Sequence, residues 1–209
     1  MAMTSRQIAV AALDLAETHG SDALTMRSLA TRLNRRPSSL YNHIGGRDDL
    51  IERMRALIVE EIDTSSFATE SWDVALISWA HSYLAAFATR PNCIRLLATT
   101  PVTDPSTLRM YEIVVTALGH GGWPNGEGIA VVRTVEAHVL GSALDLIAPS
   151  NLAALAIVPV ELENLRRNLD PAHAAHASAR FAFDLGITAL VDGLRSRSGT
   201  RAAAAPGTQ

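Results

Sequence analysis

The sequence contains no lysine, so all 18 of its positively charged side chains are arginine. That removes a lysine Schiff base to pyridoxal phosphate and the lysine of a nucleotide-binding P-loop. Cys93 is the single cysteine, which excludes an internal disulfide and any multi-cysteine zinc or iron–sulfur site and predicts an ordinary buried thiol. Although 48% of the residues are hydrophobic, no uninterrupted apolar run approaches the length of about 18 that a membrane-spanning helix requires. The N-terminal stretch sets Arg6, Asp14 and Glu17 among its apolar residues and lacks the hydrophobic block and cleavage site of a secretory signal. A cytoplasmic location without a membrane partner is therefore expected.

Enzymatic signatures are missing as well. There is no Gly-x-Ser-x-Gly elbow, His-Glu-x-x-His pair or dinucleotide-binding fingerprint. The glycine-rich stretch from Gly119 to Gly128 follows a helical pattern and lacks a Lys-Ser/Thr ending, so it reads as an interhelical loop. His173 and His176 could share a helix face, but no acid or cysteine nearby completes a metal site. The expectation is a protein that is not an enzyme and needs no metal or cofactor; a helical hydrolase using His138 and Asp145 is the alternative from another class.

What is present is a segregated charge. Between Thr25 and Arg47 lie Arg27, Arg32, Arg35, Arg36 and Arg47 with no acidic residue, a local charge of +5 in a chain whose net charge is −3. Such an island in an otherwise acidic chain is the electrostatic footprint of a phosphate-contacting surface, or else a solvated helix face.

Apolar residues recur with helical spacing almost throughout, and no sustained two-residue alternation appears, so an all-α fold is expected. Ile8, Ala12 and Leu15 stripe a first helix that Gly20 can stop. Thr25 can cap a second, Asn34 falls where a left-handed residue would close a turn, and Pro37 fits the first turn of a short third helix that includes Tyr41 and Asn42. A longer helix follows from Arg47. Asp63 to Glu70 reads as a connection, Ser71 as the cap of a helix to about Thr89, and Asp104-Pro105 as a helix start. Two long helices are expected at about Glu127 to Ala148 and, opened by Asp170-Pro171, about Ala172 to Arg195. Three short helices and a longer one within some sixty residues are the plan of a helix-turn-helix unit. In it Leu24, Leu29, Leu33, Leu40 and Ile44 would fill a small core. Arg36, Pro37, Ser38 and Ser39 would stand at the third helix N-terminus, where free N–H groups and the helix dipole favour phosphate.

The segments Met26-Arg27-Ser28-Leu29-Ala30, Leu40-Tyr41-Asn42-His43 and Arg47-Asp48-Asp49-Leu50 resemble, in sequence and spacing, the N-terminal pattern of the TetR family of transcriptional regulators. The resemblance implies that Arg27 and Arg47 contact phosphates of a double-stranded DNA operator and that Arg36, Pro37, Ser38, Ser39, Tyr41, Asn42 and His43 face the major groove or its rim. Tyr41 and His43 could instead pack against the first helix. Asn34 and Arg35 depart from the usual glycine and small apolar residue, adding charge at the turn, and Ile44 replaces a common aromatic. Further along, to about Pro149, the chain is similar to the tetracycline-repressor branch of the family. This implies a ligand cavity involving Trp79, Tyr83, Leu96, Thr100, His138 and Asp145, with Leu97 and Leu144 helping to frame it, and a homodimer built on the two long helices. In that branch a histidine helps to hold a magnesium-chelated drug; its position is Leu96 here, which implies a metal-free apolar or aromatic effector.

The organisation read from the sequence is thus a DNA-binding domain at 1–47, a helical ligand-sensing and dimerisation domain at 48–197, and a disordered tail at 198–209. The function read from it is that of a small-molecule-responsive repressor. A DNA-binding module in which the C-terminal aromatics merely fill a core is the alternative.

Overall fold

Thr4 opens the first helix through a reciprocal cap: its hydroxyl accepts the Gln7 N–H at 3.2 Å and the Gln7 side chain accepts the Thr4 N–H at 2.9 Å. The computed structural model describes residues 3–148 and 155–204, and every regular element among them is helical. α1 spans Ser5–His19. α2, Met26–Arg32, is capped in the same manner by Thr25 and Ser28. It ends at Asn34, whose φ of 52° makes it the one non-glycine residue with positive φ among the described residues. The Arg35 N–H reaches back to the Ala30 carbonyl at 2.9 Å, closing the turn that needs the left-handed residue.

That turn sets up a stability test. Asparagine tolerates the left-handed region, whereas a β-branched side chain there meets the carbonyl clash in full. Asn34→Val is expected to cost about 1–2 kcal/mol in urea melting, and Asn34→Gly to be near neutral. Equal stabilities for the two variants would disprove the assignment.

α3 is shorter than expected, Pro37–Leu40. Tyr41, Asn42 and His43 form a turn after it because the N–H groups of His43 and Ile44 both converge on the Leu40 carbonyl, at 2.9 and 3.0 Å. This tightening seats Ile44 in the core beside Leu24, Leu29 and Leu40, while Leu33 is half-buried. α4, Arg47–Val59, packs on α1 with one face and on α7 with another. Its buried Leu50, Ile51, Met54 and Ile58 join a core that continues without a break from α1 to α10, so no gap in packing falls at residue 47.

The polar connection forms a 3-10 turn at Ser65–Ala68 and leads into α5, Trp72–Ala88. A 3-10 turn at Pro91–Cys93, α6 at Ile94–Ala98, and α7 at Pro105–His120 follow, the last capped by Asp104. α8 spans Gly128–Asp145, and turns carry on to Ala148. α9 is Glu163–Asn168 and α10 is Ala179–Ala204. α5 runs through the middle of the larger unit, packed against α7, α8 and α10.

Two expectations about the second long helix are corrected. Asp170 and Pro171 open only a 3-10 turn, Pro171–His173, because Ala172 to Ala177 offers exposed alanine and histidine and no apolar face to bury. The helix begins at Ala179, just before Phe183, Ile187 and Val191, which are buried at one-turn spacing. It then extends through Ala204, so the expected disordered tail from 198 is helical over its described part; residues 205–209 lie outside the described residues. Gly186 lets α10 approach α8: a Cβ there would lie 2.3 Å from Cε1 of His138. The His138 ring instead stacks on Phe183 with centroids 5.3 Å apart.

Candidate DNA-reading surface and ligand cavity

The arginines of the basic island, Arg27, Arg32, Arg35, Arg36 and Arg47, are all exposed, as are Pro37, Ser38, Tyr41 and Asn42, and Asn34, Arg35, Arg36, Ser38, Ser39 and Asn42 line a shallow depression at the turn between α2 and α3. Tyr41 is 55% exposed, so it is not a packing residue for α1. His43 is half-buried and its carbonyl accepts the Ser5 hydroxyl at 2.9 Å, pinning the start of α1 to the turn after α3. Three residues are already partly engaged, Arg32 by Asp14 of α1 at 3.8 Å. Ser39 donates its hydroxyl to the Arg36 carbonyl at 2.7 Å, and Arg47 donates Nη1 to the Leu24 carbonyl at 2.6 Å. Arg35, which is not among the residues that the family resemblance assigns to DNA, stands in the depression with its side chain making only a 3.4 Å contact to the Asn34 carbonyl.

A cavity of about 600 Å³ lies between α4, α5, the α6–α7 connection, α7 and α8, within the range usual for small-molecule sites. Tyr83, Phe87, Leu97, Val102, Val132 and Leu140 supply an aromatic and aliphatic wall, and Ile129, Arg133 and Ala137 are exposed at its rim. The polar groups converge on Glu136. Its Oε1 accepts the hydroxyls of Tyr83 at 3.0 Å and of Tyr111 at 2.7 Å. Burial pushes the Glu136 carboxyl above its ordinary value, against the opposing pull of the two hydroxyls and of Arg55 and Arg133. Burial, reinforced by Glu136, raises both phenols in turn, which keeps them neutral donors at physiological pH.

Arg55, 7% exposed, is the buried cation of the wall. Its Nε donates to Glu52 at 2.9 Å and its Nη2 to the carbonyl and hydroxyl of Thr100 at 3.2 and 2.9 Å. Glu52 Oε2 accepts the backbone N–H groups of Thr103 at 2.5 Å and Asp104 at 2.6 Å. Burial acts to raise the Glu52 carboxyl, but the Thr103 N–H, the Arg55 guanidinium and the Asp104 N–H outweigh it and hold it below the ordinary value. One turn of α4 thus grips the whole connection from Thr100 to Asp104.

Of the six ligand residues expected from sequence, the cavity brings together Tyr83 and Thr100 and leaves out four. Trp79 is fully buried in the core between Phe67 and Tyr83, with centroid distances of 6.4 and 5.4 Å. Leu96 packs in the core while Leu97, about 100° further round α6, faces the cavity. His138 is two residues from Glu136, hence on another face of α8, and bonds the Phe183 carbonyl through Nε2 at 3.1 Å. Asp145 and Leu144 are exposed at the α8 C-terminus, roughly 13 Å along the helix from Glu136. The sequence reading missed Glu136, Tyr111 and Arg55. The available signal was a charge inside an apolar stripe: Glu136 falls among Val132, Val135 and Val139, and Arg55 among Ile51, Met54 and Ile58. Cys93 is buried, its thiol pushed up to about 12 chiefly by that burial, and is inert.

A helix-turn-helix unit joined through a shared helix to a cavity-bearing bundle defines a class of helical regulators, and comparison with known proteins places the chain within it. Residues 67–197 match the family described as tetracyclin repressor-like, C-terminal domain, and the chain belongs to that TetR family. An HTH-type transcriptional regulator of Saccharopolyspora erythraea is 28% identical over 140 residues, which take in 67% of this chain and 59% of that protein. The chain therefore spans about three fifths of that relative's length. The class A tetracycline repressor from Escherichia coli is 29% identical over 191 residues, 90% of this chain and 88% of that protein. Apo ActR from Streptomyces coelicolor has the same fold, with a TM-score of 0.78 at 24% identity over 96% of this chain and 99% of its own; ActR has also been crystallised with actinorhodin. No described helix is long and apolar enough to cross a membrane.

Proposed function

We propose that this chain is a cytoplasmic repressor that binds a pseudo-palindromic operator as a homodimer and releases it when a small molecule enters the cavity. Arg55 carries this reading. It lines the cavity and holds Thr100, yet it stands on α4, the helix that opens at Arg47 beside the reading face and packs against α1. A ligand that favours a different placement of the Thr100 to Asp104 connection changes where α4 holds the reading unit, and so acts through its differential affinity for the two states. Arg27, Arg35, Arg36 and Arg47 supply the phosphate attraction, with Pro37, Ser38, Ser39, Tyr41, Asn42 and His43 at the groove. Leu144, Phe181 and Leu185 are 46%, 41% and 62% exposed on α8 and α10, an apolar strip suited to a second copy. With Leu96 in the core and leucine unable to coordinate a cation, the effector is metal-free.

Selection of duplexes from a randomised pool by the purified full chain tests the reading. Enriched sequences are expected to carry two inverted half-sites about one helical turn apart, with a dimer mass in sedimentation. A monomer that enriches nothing over bulk DNA would overturn it, and magnesium-dependent release of the enriched duplex by tetracycline would overturn the metal-free part.

A further inference from the structure

Glu136 is a half-buried acid without a hydrogen-bonded cation among the described residues. It forms no ion pair among the described residues: Arg55 spends Nε on Glu52 and Nη2 on Thr100, and Arg133 is exposed at the rim, so both act on the carboxyl only through space. Both tyrosine hydroxyls arrive on the same carboxylate oxygen, Oε1, so Oε2 of a cavity-lining residue has neither of them. Glu52 and Arg55 pair with each other across 2.9 Å, leaving Glu136 as the acid of the inner wall that stands outside an ion pair. A carboxylate partly withdrawn from water in this position costs stability unless something pairs with it.

We propose that the effector of this cavity is an aromatic or aliphatic molecule bearing one protonated amine, which donates to Glu136 Oε2 while its apolar body rests against Tyr83, Phe87, Val132 and Leu140. The inference rests on the sensor reading above and names its ligand class. Charge pairing in a partly desolvated wall supplies selectivity, because a neutral or anionic ligand of the same shape leaves the carboxylate as unpaired as before. Tyr83 and Tyr111, donating to Oε1, act as positioning residues that fix the carboxylate plane.

Three matched probes decide the matter: 2-naphthylmethylammonium, 2-naphthalenemethanol and 2-naphthoate, titrated calorimetrically into the full-length parent, Glu136→Gln and Ala137→Trp. The ammonium is expected to bind the parent at least about tenfold more tightly than either analogue, the scale of one charge-assisted hydrogen bond. Glu136→Gln, checked for unchanged helical circular dichroism, should bring ammonium and alcohol within about threefold, since the shape is kept and the charge lost. Ala137→Trp, which fills the rim, should weaken all three probes. Equal binding of the three, still blocked by Ala137→Trp, overturns this inference and leaves the sensor cavity standing. A preference for naphthoate, or an ammonium preference that survives in Glu136→Gln, also overturns it. Failure of every probe to bind the parent at millimolar concentration overturns both readings.

Discussion

Replacing Arg55 with alanine is expected to destabilise the protein by about 3–5 kcal/mol, the cost of removing one partner of a buried ion pair. In a chain of 209 residues, each kcal/mol corresponds to about 2–4 °C in melting temperature. The loss has two sources. Glu52 keeps the N–H groups of Thr103 and Asp104 but loses its cation, and the carbonyl and hydroxyl of Thr100 lose their shared donor. Arg55→Lys should recover only part of the loss, because an ammonium cannot present the two-sided fork that reaches Glu52 and Thr100 together. The pH dependence has a definite sign. Glu52 is held below its ordinary value in the folded state, so its contribution is complete above the ordinary carboxylate range and disappears as the pH falls through the folded value. The gap in stability between parent and Arg55→Ala should therefore narrow on acidification, as measured by urea melting at neutral and acid pH. A gap below about 1 kcal/mol at neutral pH, or one that widens in acid, would show that the pair does not grip the connection.

The local elements were legible where a single residue type has a single mechanical use. Thr25 caps, Pro37 and Pro105 start helices, and Asn34 closes a turn at φ 52°, each through chemistry confined to a few neighbouring residues. The start of α10 was misread for the converse reason. Asp170-Pro171 is a sound local signal, and it does cap a turn, but a long helix forms where a face can be buried, and that begins with Phe183. Local signals announce a start; packing decides how far the helix runs.

The exposed basic stretch was visible because it is carried by contiguous sequence, from Arg27 to Arg47. The cavity was not, because its wall is assembled from five separate stretches of chain, and periodicity gives a helix face without telling which neighbour that face meets. Trp79 and Tyr83 share an apolar face of α5, yet only Tyr83 lines the cavity. The charges that organise the wall, Arg55 and Glu136, are distant in sequence from the residues they serve. Glu136 lies 25 positions from Tyr111 and 53 from Tyr83, a separation no motif spans.

Removing Arg35 and Arg36 together is expected to weaken binding to the enriched duplex by roughly 2–6 kcal/mol, taking about 1–3 kcal/mol for each lost base or phosphate contact. Folding should be unaffected beyond about 0.5 kcal/mol, since both side chains are exposed and the side chain of Arg35 makes only the 3.4 Å contact to its neighbour, while its backbone bond to Ala30 survives the substitution. This separates them from Arg47, whose hydrogen bond to the Leu24 carbonyl ties α4 to the reading unit, so that Arg47→Ala should lose some stability along with affinity. The single variants distinguish what each arginine contacts. If Arg36 neutralises a phosphate, Arg36→Ala lowers the slope of log K against log salt by about 0.9 and leaves sequence preference intact. If it reads a guanine edge, the preference relaxes at one position in each half-site while the slope holds. Arg35, at the turn before α3, should behave as the phosphate contact. Binding isotherms over a range of salt concentrations, on the enriched duplex and on one with both half-sites scrambled, measure slope and preference together. A double variant that binds the enriched duplex with the affinity and salt slope of the parent would remove the α2–α3 face from the DNA interface.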